Sequence, residues 1–488
     1  MQTTIVKFPL LLVLTLLLII SACGPTDTVT VVQDAPRIAL AETAEDDDVE
    51  EFRQITIGLI DPVTNLDPLF AENLSTKRAV SLIYESLFTL NEIGEPVPAL
   101  ADTVEISENG LEYTIHLKEN IFFHDSRVFT AGVGRRLHAN DVKRAFERTA
   151  VNTVPEHASR LLMNVVGYRS FFTEQRSQHD VTRRVVDGVR GIEVLNQRSL
   201  VIRLNQPDEL LLEKLASPYL SIYPQESVST TGFSLTSNPV GTGPFRFRSM
   251  ENGRIILSKN EHDRFQDFGI NRIDLVFKGT ESELFQEFIR SNIDWIPEAG
   301  PLINRQVLDA DGLLRSSYED DFTLINNAGF RFTAVYINQY ASAETAWLAD
   351  RLRNSNEVNF RLNGTLDFRP ELLPDDEPGE PKPEYFITNT ENLTARVIFS
   401  EINSALVQPE SSLSYLDIYV VIPEITLYSR TTDNVHIRNK DLSGFWLSFE
   451  TPVISLHSKR LSGIEPSAVP WLLTVRNLQL QNAGRQPS

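Results

Sequence analysis

The single cysteine of the chain, Cys23, stands at the end of a short apolar run and limits how the chain can be stabilised. One cysteine cannot form a disulfide within the chain, so hydrophobic cores must hold the folded body together. At 488 residues and 41% hydrophobic residues, the chain can bury several cores, and we expect two or three domains. No later segment has about 18 consecutive apolar residues, so we expect the body to be soluble.

The N-terminus has the pattern of an export signal. Lys7 supplies a positive charge, and Leu10–Ile20 form an apolar run that is too short to span a bilayer comfortably. The run ends in Ile20-Ser21-Ala22-Cys23, which resembles the bacterial lipobox. This resemblance implies a signal peptide at 1–22 and a lipid on Cys23. The alternative is an ordinary signal peptide in which a cysteine stands at this place by chance.

The charge of the chain bears on its tether and on its partners. Residues 23–53 are rich in Thr, Asp, Ala and Glu, include the acidic run Glu45–Glu51 and lack apolar periodicity, so they are predicted to be a flexible tether. The whole chain has 66 acidic and 45 basic residues, a net charge of −21. Nucleic acid is therefore not an expected partner, because its binding depends on positive charge.

The apolar pattern predicts a body that mixes short strands with helices, which is typical of α/β or α+β proteins. Residues 103–117 alternate apolar and polar side chains on either side of Asn109-Gly110, a strong hairpin signal. The other predicted strands are Gln54–Ile60, two within Gly191–Leu204, Arg254–Lys259, Arg272–Phe277, Ala395–Phe399, Leu416–Ile422, Val453–Leu456 and Trp471–Leu480. The predicted helices are Thr76–Leu87, one capped by Asn140, Leu210–Leu215 and Glu281–Arg290.

Several stretches resemble the motifs of one protein family and come in the order of that family. The most specific is Asn238-Pro239-Val240-Gly241-Thr242-Gly243-Pro244-Phe245. On these residues the chain resembles the family 5 extracellular solute-binding proteins of ABC transporters, which bind oligopeptides, dipeptides or nickel. The match covers about 54–296 and 450–480 and is poor from about 340 to 449. The other matching stretches are Leu66-Asp67-Pro68, Ile83 to Leu87, Gly94 to Ala101, Asn109 to Lys118, Phe122 to Asp125, Ala139 to Val142 and Thr451 to Leu456.

The resemblance implies a fold and a division into domains. The expected fold is an α/β, two-lobed, periplasmic-binding-protein-like (class II) fold with an inserted small domain and a shortened second lobe. The expected parts after the tether are a discontinuous lobe I at 54–93, 188–290 and 450–482, an inserted small domain at 94–187 and lobe II at 291–449.

The resemblance also implies a function. The chain is expected to be a lipid-anchored protein of the cell envelope, facing the periplasm or the cell exterior. It would capture a solute, a short peptide by resemblance, between its lobes and deliver it to an ABC permease and ATPase complex. No cofactor is implied. One alternative is a degenerate member that acts as an envelope sensor or interaction module without transport. The other is a lipoprotein hydrolase, but no Gly-x-Ser-x-Gly motif is present, so we do not expect an enzyme.

Candidate site residues follow from these motifs. Gly241, Thr242, Gly243 and Pro244 are expected to form a tight structural turn, because no Gly-Lys-Ser/Thr follows as a phosphate loop requires. Trp295 either stacks on a ligand at the cleft or packs beneath the lobe, and the sequence leaves both open. The histidines show no metal-ligand spacing, so no metal site is expected. The weaker ligand candidates are Tyr336, Asn338 and Trp446.

Overall fold

A computed structural model describes residues 53–309, 312–337, 367–368, 386–388, 418–422 and 445–480. All of these lie in one compact unit that starts at Phe52. The predicted signal peptide, Cys23 and most of the tether lie outside the described residues. Among the helices that the structure describes, none combines the length and the apolar character needed to cross a membrane.

The described residues form strands and helices along the whole body. The strands are β1 (Gln54–Leu59), β2 (Phe88–Leu90), β3 (Pro96–Pro98), β4 (Ala101–Ile106), β5 (Glu112–Leu117), β6 (Ile192–Asn196), β7 (Ser199–Arg203), β8 (Phe245–Glu251), β9 (Arg254–Lys259), β10 (Arg272–Phe277), β11 (Trp295–Ile296), β12 (Phe322–Ile337), β13 (Asp367–Phe368), β14 (Phe386–Thr388), β15 (Ile418–Ile422), β16 (Phe445–Ser458), β17 (Leu461–Ser462) and β18 (Gln479–Leu480). The helices are α1 (Leu74–Ile83), α2 (Ala139–Arg148), α3 (His157–Leu161), α4 (Tyr168–Ser177), α5 (Leu211–Leu215), α6 (Glu226–Ser229), α7 (Glu281–Ile289) and α8 (Pro301–Val307).

A large mixed sheet organises the body in the order β14-β15-β12-β16-β11-β1-β10-β9-β8, and β13 also pairs with β16. Strand β1 lies inside this sheet and runs parallel to both β10 and β11. Ile55, Ile57 and Leu59 share one face of β1 and are buried in the main core, while Leu284 and Ile293 lie close to Gly58 on the other face. The other pairs in the sheet are antiparallel.

The predicted hairpin around Asn109-Gly110 is confirmed as β4 and β5, and Gly110 has a φ of +67°. Strand β5 then pairs with β7, and β7 with β6, to give a separate four-stranded antiparallel sheet. The sheet of the inserted small domain therefore continues to Arg203, beyond the predicted limit at 187. A predicted pair of strands within Gly191–Leu204 is present, but it belongs to this smaller sheet.

Helix ends explain two local details. The side chain of Asn73 accepts from the backbone N–H of Thr76 at 2.7 Å and caps α1. Asn140 was predicted to cap the next long helix, but α2 begins one residue earlier, at Ala139. There the carboxylate of Asp141 accepts from the backbone N–H of His138 at 2.9 Å, so the carboxylate inside the first turn fixes this start.

Residues 291–325 do not form a core of their own. Ile296, Ile303 and Phe322 share one hydrophobic cluster with Leu284 and Phe288 of α7. The boundary predicted at 291 assigns α7 to lobe I, and it assigns Ile296, Ile303 and Phe322 to lobe II. The boundary predicted at 291 therefore runs through a single core instead of between two cores.

Two long strands, β12 and β16, pair in antiparallel register from Phe322 opposite Ser458 to Ile337 opposite Phe445. The register shifts between Asn326 and Phe330, near the partner residue Pro452. Proline lacks a backbone N–H and cannot donate to a ladder, so the pairing is locally interrupted there. One end of this ribbon belongs to the core described above, and the other continues to β15 and β14.

The prediction of a strand at Trp471–Leu480 is wrong over most of that range. Only Gln479–Leu480 are in a strand, and they pair with Leu461–Ser462. Trp471, Leu473 and Val475 are nevertheless buried against the main core. The apolar residues of this segment alternate in sequence because every second side chain is buried. The segment lies on the core, but over these residues it does not pair with a neighbouring strand.

Candidate ligand-binding site

The carboxyl ends of β1 and β10 lie at the same edge of the large sheet because the two strands are parallel. In open α/β sheets, ligands bind outside the carboxyl ends of such strands. The segment that leaves β1 at this edge is Asp61-Pro62-Val63-Thr64-Asn65, in which Pro62 and Thr64 are exposed. We call residues 61–65 the edge segment.

The edge segment is fixed by hydrogen bonds to its surroundings. The backbone N–H of Asp61 donates to Ser75 Oγ at 3.1 Å, and Asn73 Nδ2 donates to the carbonyl of Pro62 at 3.0 Å. Further along, Thr236 Oγ1 donates to Asn65 Oδ1 at 2.9 Å. A segment held at several points presents its backbone in one conformation, which lowers the entropic cost of binding.

The edge segment also offers free backbone donors. The N–H groups of Val63 and Thr64 make no hydrogen bond with any of the described residues. Both residues are partly or fully exposed. Unpaired backbone N–H groups can donate hydrogen bonds to the main chain of an extended peptide.

A small apolar cavity of about 160 Å³ opens beside the edge segment. Its volume is comparable to the roughly 150 Å³ of a cavity that accepts benzene. Its far wall is the turn between β8 and β9, where Asn252 and Gly253 have φ of +51° and +72°. An Asn-Gly pair with positive φ at both positions makes the tight turn that brings these strands together. The apolar lining is Leu59, Val63, Met250, Ile255, Leu275 and Phe277.

A partly buried ion pair holds Asp67, two residues beyond the edge segment. Arg148 of α2 donates to Asp67 Oδ1 at 2.9 Å and to Tyr223 Oη at 3.1 Å. Burial is the main reason why the pKa of Tyr223 is raised to about 12, and Asp67 adds to the effect while Arg148 opposes it. The phenol therefore stays neutral, and the network ties the inserted small domain to the large sheet.

Asp294 joins three parts of the body just before β11. Its Oδ2 accepts from the backbone N–H of Thr56 in β1 at 2.8 Å, and its Oδ1 accepts from Arg460, which follows β16. Its own backbone N–H donates to the carbonyl of Thr56 at 2.8 Å. One residue therefore ties the middle of β1 and the start of β11 to the segment that follows β16.

Trp295 lies in the packed environment that was one of its two predicted alternatives. Its side chain is buried, with 3% exposure, and the indole Nε1–H donates to Ser455 Oγ at 2.7 Å. In register it stands opposite His457 of β16 and Ile57 of β1. The indole has no exposed face in this conformation, so contact with a ligand stays a prediction.

A buried ion pair follows β11. Arg78 of α1 lies 3.2 Å from a carboxylate oxygen of Glu298, and their side chains are 3% and 9% exposed. Arg78 Nε also donates to the carbonyl of Pro470 at 2.9 Å. This pair links α1 to the segment that leads from β11 into α8.

The predicted glycine turn, Gly241 to Pro244, packs closely against the end of α1. A Cβ on Gly243 would lie 2.7 Å from the carbonyl carbon of Ile83, and a Cβ on Gly241 would collide with the oxygen of the same carbonyl. The N–H of Gly243 donates to that oxygen at 3.0 Å. Thr242 is fully buried, which leaves no open cradle for a phosphate.

His124 fills the space beside this turn. Its backbone N–H donates to the carbonyl of Gly241, and its Nε2 to the carbonyl of Gly243, both at 2.8 Å. Burial lowers the pKa of the imidazole to about 4. The ring is therefore neutral at pH 7 and acts as a hydrogen-bond donor.

The other candidates lie on the β12–β16 ribbon or beyond it. Tyr336 stands directly opposite Trp446 in β16 and Tyr419 in β15, so three aromatic residues form one row across the sheet. Asn338 and Cys23 lie outside the described residues. Within the described ranges, no cluster of three or more His, Cys, Asp or Glu side chains is placed to hold a metal ion.

Sequence reasoning missed the edge segment and the ion pairs of Asp67 and Glu298. Arg78 and Glu298 are separated by 220 positions, and no local pattern connects them. The turn at Asn252-Gly253 carried a usable signal, because this dipeptide lies between two strands. The general rule for the carboxyl ends of parallel strands would have indicated residues 61–65 once β1 and β10 were paired.

The mixed sheet and the inserted antiparallel sheet define the two-lobed α/β fold of the periplasmic binding proteins. Two solved structures share this fold over 88% of the chain and 99% of their own length: the periplasmic binding protein DppA from Helicobacter pylori in complex with the peptide STSA (TM-score 0.62, 16% identity), and Listeria monocytogenes OppA bound to peptide (TM-score 0.63, 13% identity). The model of the bacterial extracellular solute-binding proteins, family 5, matches residues 95–361. This is more than half of the chain, which therefore belongs to that family.

Curated relatives match over a shorter stretch. Heme-binding protein A of Haemophilus influenzae is 31% identical over 186 residues, which cover 37% of this chain and 31% of the relative. Di/tripeptide-binding protein 4 of Pseudomonas aeruginosa is 31% identical over 160 residues, which cover 32% of this chain and 27% of the relative. The matched part thus spans about three tenths of the length of these two relatives, and both are binding proteins by name.

Proposed function

We propose that this chain is the solute-binding component of an ABC importer and that its solute is a short peptide. The observation that carries the proposal is the edge segment, where the unpaired N–H groups of Val63 and Thr64 lie beside an apolar cavity of about 160 Å³. An extended peptide would bond to the backbone donors and place one apolar side chain in the cavity. The peptide-bound states of the DppA and OppA structures support this choice.

The β12–β16 ribbon supports closure as the mechanism. The register shift between Asn326 and Phe330, near Pro452, gives the ribbon a weak point between the core of β11, α7 and α8 and the strands β14 and β15. Bending at this point would bring the second lobe over the edge segment. We place the boundary of lobe II here, at about 327 and 453, instead of at 291 and 449.

Thermal unfolding tests the proposed substrate class. The full chain is scanned against di- to pentapeptides, with haem, sugars and Ni²⁺ as competing classes. A ligand that binds only the folded form at 100 times its Kd adds about 2.7 kcal/mol and raises the midpoint by a few degrees. We expect a shift with peptides alone. A shift with haem or Ni²⁺ instead would reject the peptide, and no shift from any class would favour a degenerate family member that no longer transports.

A matched pair of variants connects this binding to the edge segment. Val63→Pro removes one backbone donor, while Val63→Ala keeps the donor and shortens the side chain. If the N–H of Val63 binds the peptide, Val63→Pro weakens binding more than Val63→Ala. Equal effects of the two variants would place the peptide elsewhere.

We also propose that the chain is exported and anchored to a membrane by a lipid on Cys23. The support is the sequence Ile20-Ser21-Ala22-Cys23 after the apolar run Leu10–Ile20. Labelled palmitate fed to expressing cells should be incorporated into the protein, and Cys23→Ser should abolish both the label and membrane association. Label that persists in the Cys23→Ser variant would contradict the proposal.

A further inference from the structure

An open groove of about 660 Å³ lies on the inserted small domain. It is formed by α3, the start of α4, the loop before β6 and the loop from β7 to α5. None of its lining residues belongs to the edge segment or to the cavity beside it. The groove is therefore a separate concave surface with no role in the function proposed above.

The groove is basic on a strongly acidic protein. Four cationic side chains line it, Arg160, Arg169, Arg190 and Lys214, against a single carboxylate, Asp208. Lys214 Nζ lies 2.6 Å from Asp208 Oδ2, so this pair is neutral as a whole. The chain has a net charge of −21, so a groove lined by four cations and one carboxylate is contrary to its general composition.

Two of these arginines are available to a ligand. Arg169 and Arg190 are exposed, and neither forms an ion pair or a side-chain hydrogen bond with the described residues. The Nε of Arg190 lies close to Gly167, 3.4 Å from the position that a Cβ there would occupy. The side chain of Arg190 therefore lies against the backbone at Gly167.

The backbone beneath the groove is rigid. The N–H of Gly191 donates to the carbonyl of Val166 at 2.7 Å, and the N–H of Val166 donates to the carbonyl of Arg203 at 2.8 Å. On the opposite side, Asn164 Nδ2 donates to the carbonyl of Gln206 at 2.8 Å. The backbone that carries the cations is therefore held in place, and mainly the arginine side chains must be ordered when an anion binds.

We propose that this groove binds a phosphate-bearing anion. Guanidinium groups match phosphate oxygens with paired N–H donors, and several arginines around a concavity can surround a tetrahedral group. A free polyphosphate and the headgroup of an anionic phospholipid offer the same chemistry. The assignment rests on the groove alone and is independent of peptide binding.

Titration calorimetry of the full chain tests the assignment, with tripolyphosphate as the soluble probe and phosphatidylglycerol vesicles as the lipid probe. Ionic strength is held at about 0.15 M, where charges farther apart than about 8 Å are largely screened. The groove variant is Arg169→Gln with Arg190→Gln. The control is Arg127→Gln with Arg144→Gln, which removes two exposed arginines outside the groove and changes the net charge equally.

We expect the groove variant to weaken binding of the phosphate probe at least tenfold, while the control changes it less than twofold. Binding of tripolyphosphate identifies a free phosphate as the ligand source, and binding of vesicles alone identifies a headgroup. The proposal is overturned if neither probe binds, if both double variants lose binding equally, or if oligoglutamate binds as tightly as tripolyphosphate. Thermal unfolding of both variants without ligand verifies that they are folded.

Discussion

At the scale of single residues, the turn from Gly241 to Pro244 shows how a small motif is fixed by its neighbours. The two glycines allow the backbone to approach the carbonyl of Ile83, and His124 donates to both glycine carbonyls. Arg264 donates to the carbonyl of Thr242 at 3.0 Å and pairs with Glu85. The most specific motif of the sequence is therefore a packing element that joins α1 to β8.

Gly241→Ala should destabilise the fold by about 2 kcal/mol or more, because a Cβ at this position meets the backbone of Ile83. Gly279→Ala is the matched control, since its Cβ would have ordinary contact, 3.4 Å, with the side chain of Glu283. Urea unfolding measures both. A Gly241→Ala protein as stable as the control would show that the approach to Ile83 is looser than described.

The lowered pKa of His124 predicts that the folded protein is less stable in acid. The ordinary histidine pKa of 6.5 applies in the unfolded chain, and burial lowers it to about 4 in the folded chain. Above pH 6.5 the ring is neutral in both states and has no effect. As the pH falls from 6.5 to 4, the unfolded state gains a proton first, so the free energy of unfolding decreases by up to about 3 kcal/mol.

Urea unfolding at pH 7, 5.5 and 4.5 measures this effect in wild type and in His124→Gln, which keeps a donor for the carbonyl of Gly243. The pH dependence should be shallower in the variant. Some dependence remains, because burial also lowers the pKa of His457. Identical slopes in the two proteins would mean that His124 is not the group that titrates.

At the scale of elements, two buried carboxylates fasten the segment that contains β11. Asp294, which precedes this short strand, binds β1 and Arg460. Glu298, which follows the strand, pairs with Arg78 of α1. A strand of two residues has few ladder bonds of its own. The ion pairs therefore determine where the chain enters α8 and, beyond it, the β12–β16 ribbon.

Arg78→Met should cost about 3 kcal/mol, because it removes the guanidinium that lies 3.2 Å from the buried carboxylate of Glu298. The double variant Arg78→Met, Glu298→Met should regain part of this loss, since no buried charge remains. Chemical unfolding of the two variants and wild type gives the comparison. A double variant less stable than Arg78→Met would contradict this account of the pair.

Elements with a strong local pattern could be predicted from the sequence, and elements defined by distant partners could not. Arg254–Lys259 and Arg272–Phe277 were predicted with the observed bounds, because apolar residues and flanking turns mark them. The pairing of β7 with β5 joins segments more than 80 residues apart, so the end of the small domain was placed too early. The candidate site was missed for the same reason, because residues 61–65 can be identified as a candidate site only once β1 is known to lie parallel to β10.

At the scale of the whole molecule, the proposed binding surface and the proposed bending point belong to one sheet. The edge segment follows β1, and the register shift of the ribbon lies two strands away in the order β12-β16-β11-β1. In the proposed function, bending of the ribbon would let a solute at the edge segment make contacts with both lobes. Binding and closure are then one equilibrium, in which the ligand favours the closed form.

Small-angle X-ray scattering tests this claim most directly. The full chain is measured alone and with a saturating amount of the peptide that gives the largest thermal shift. Closure of the lobes over the edge segment predicts a smaller radius of gyration with peptide, and a higher peptide concentration is needed for the same decrease in Val63→Pro. A peptide that binds wild type tightly and leaves the radius of gyration unchanged would contradict capture between two closing lobes.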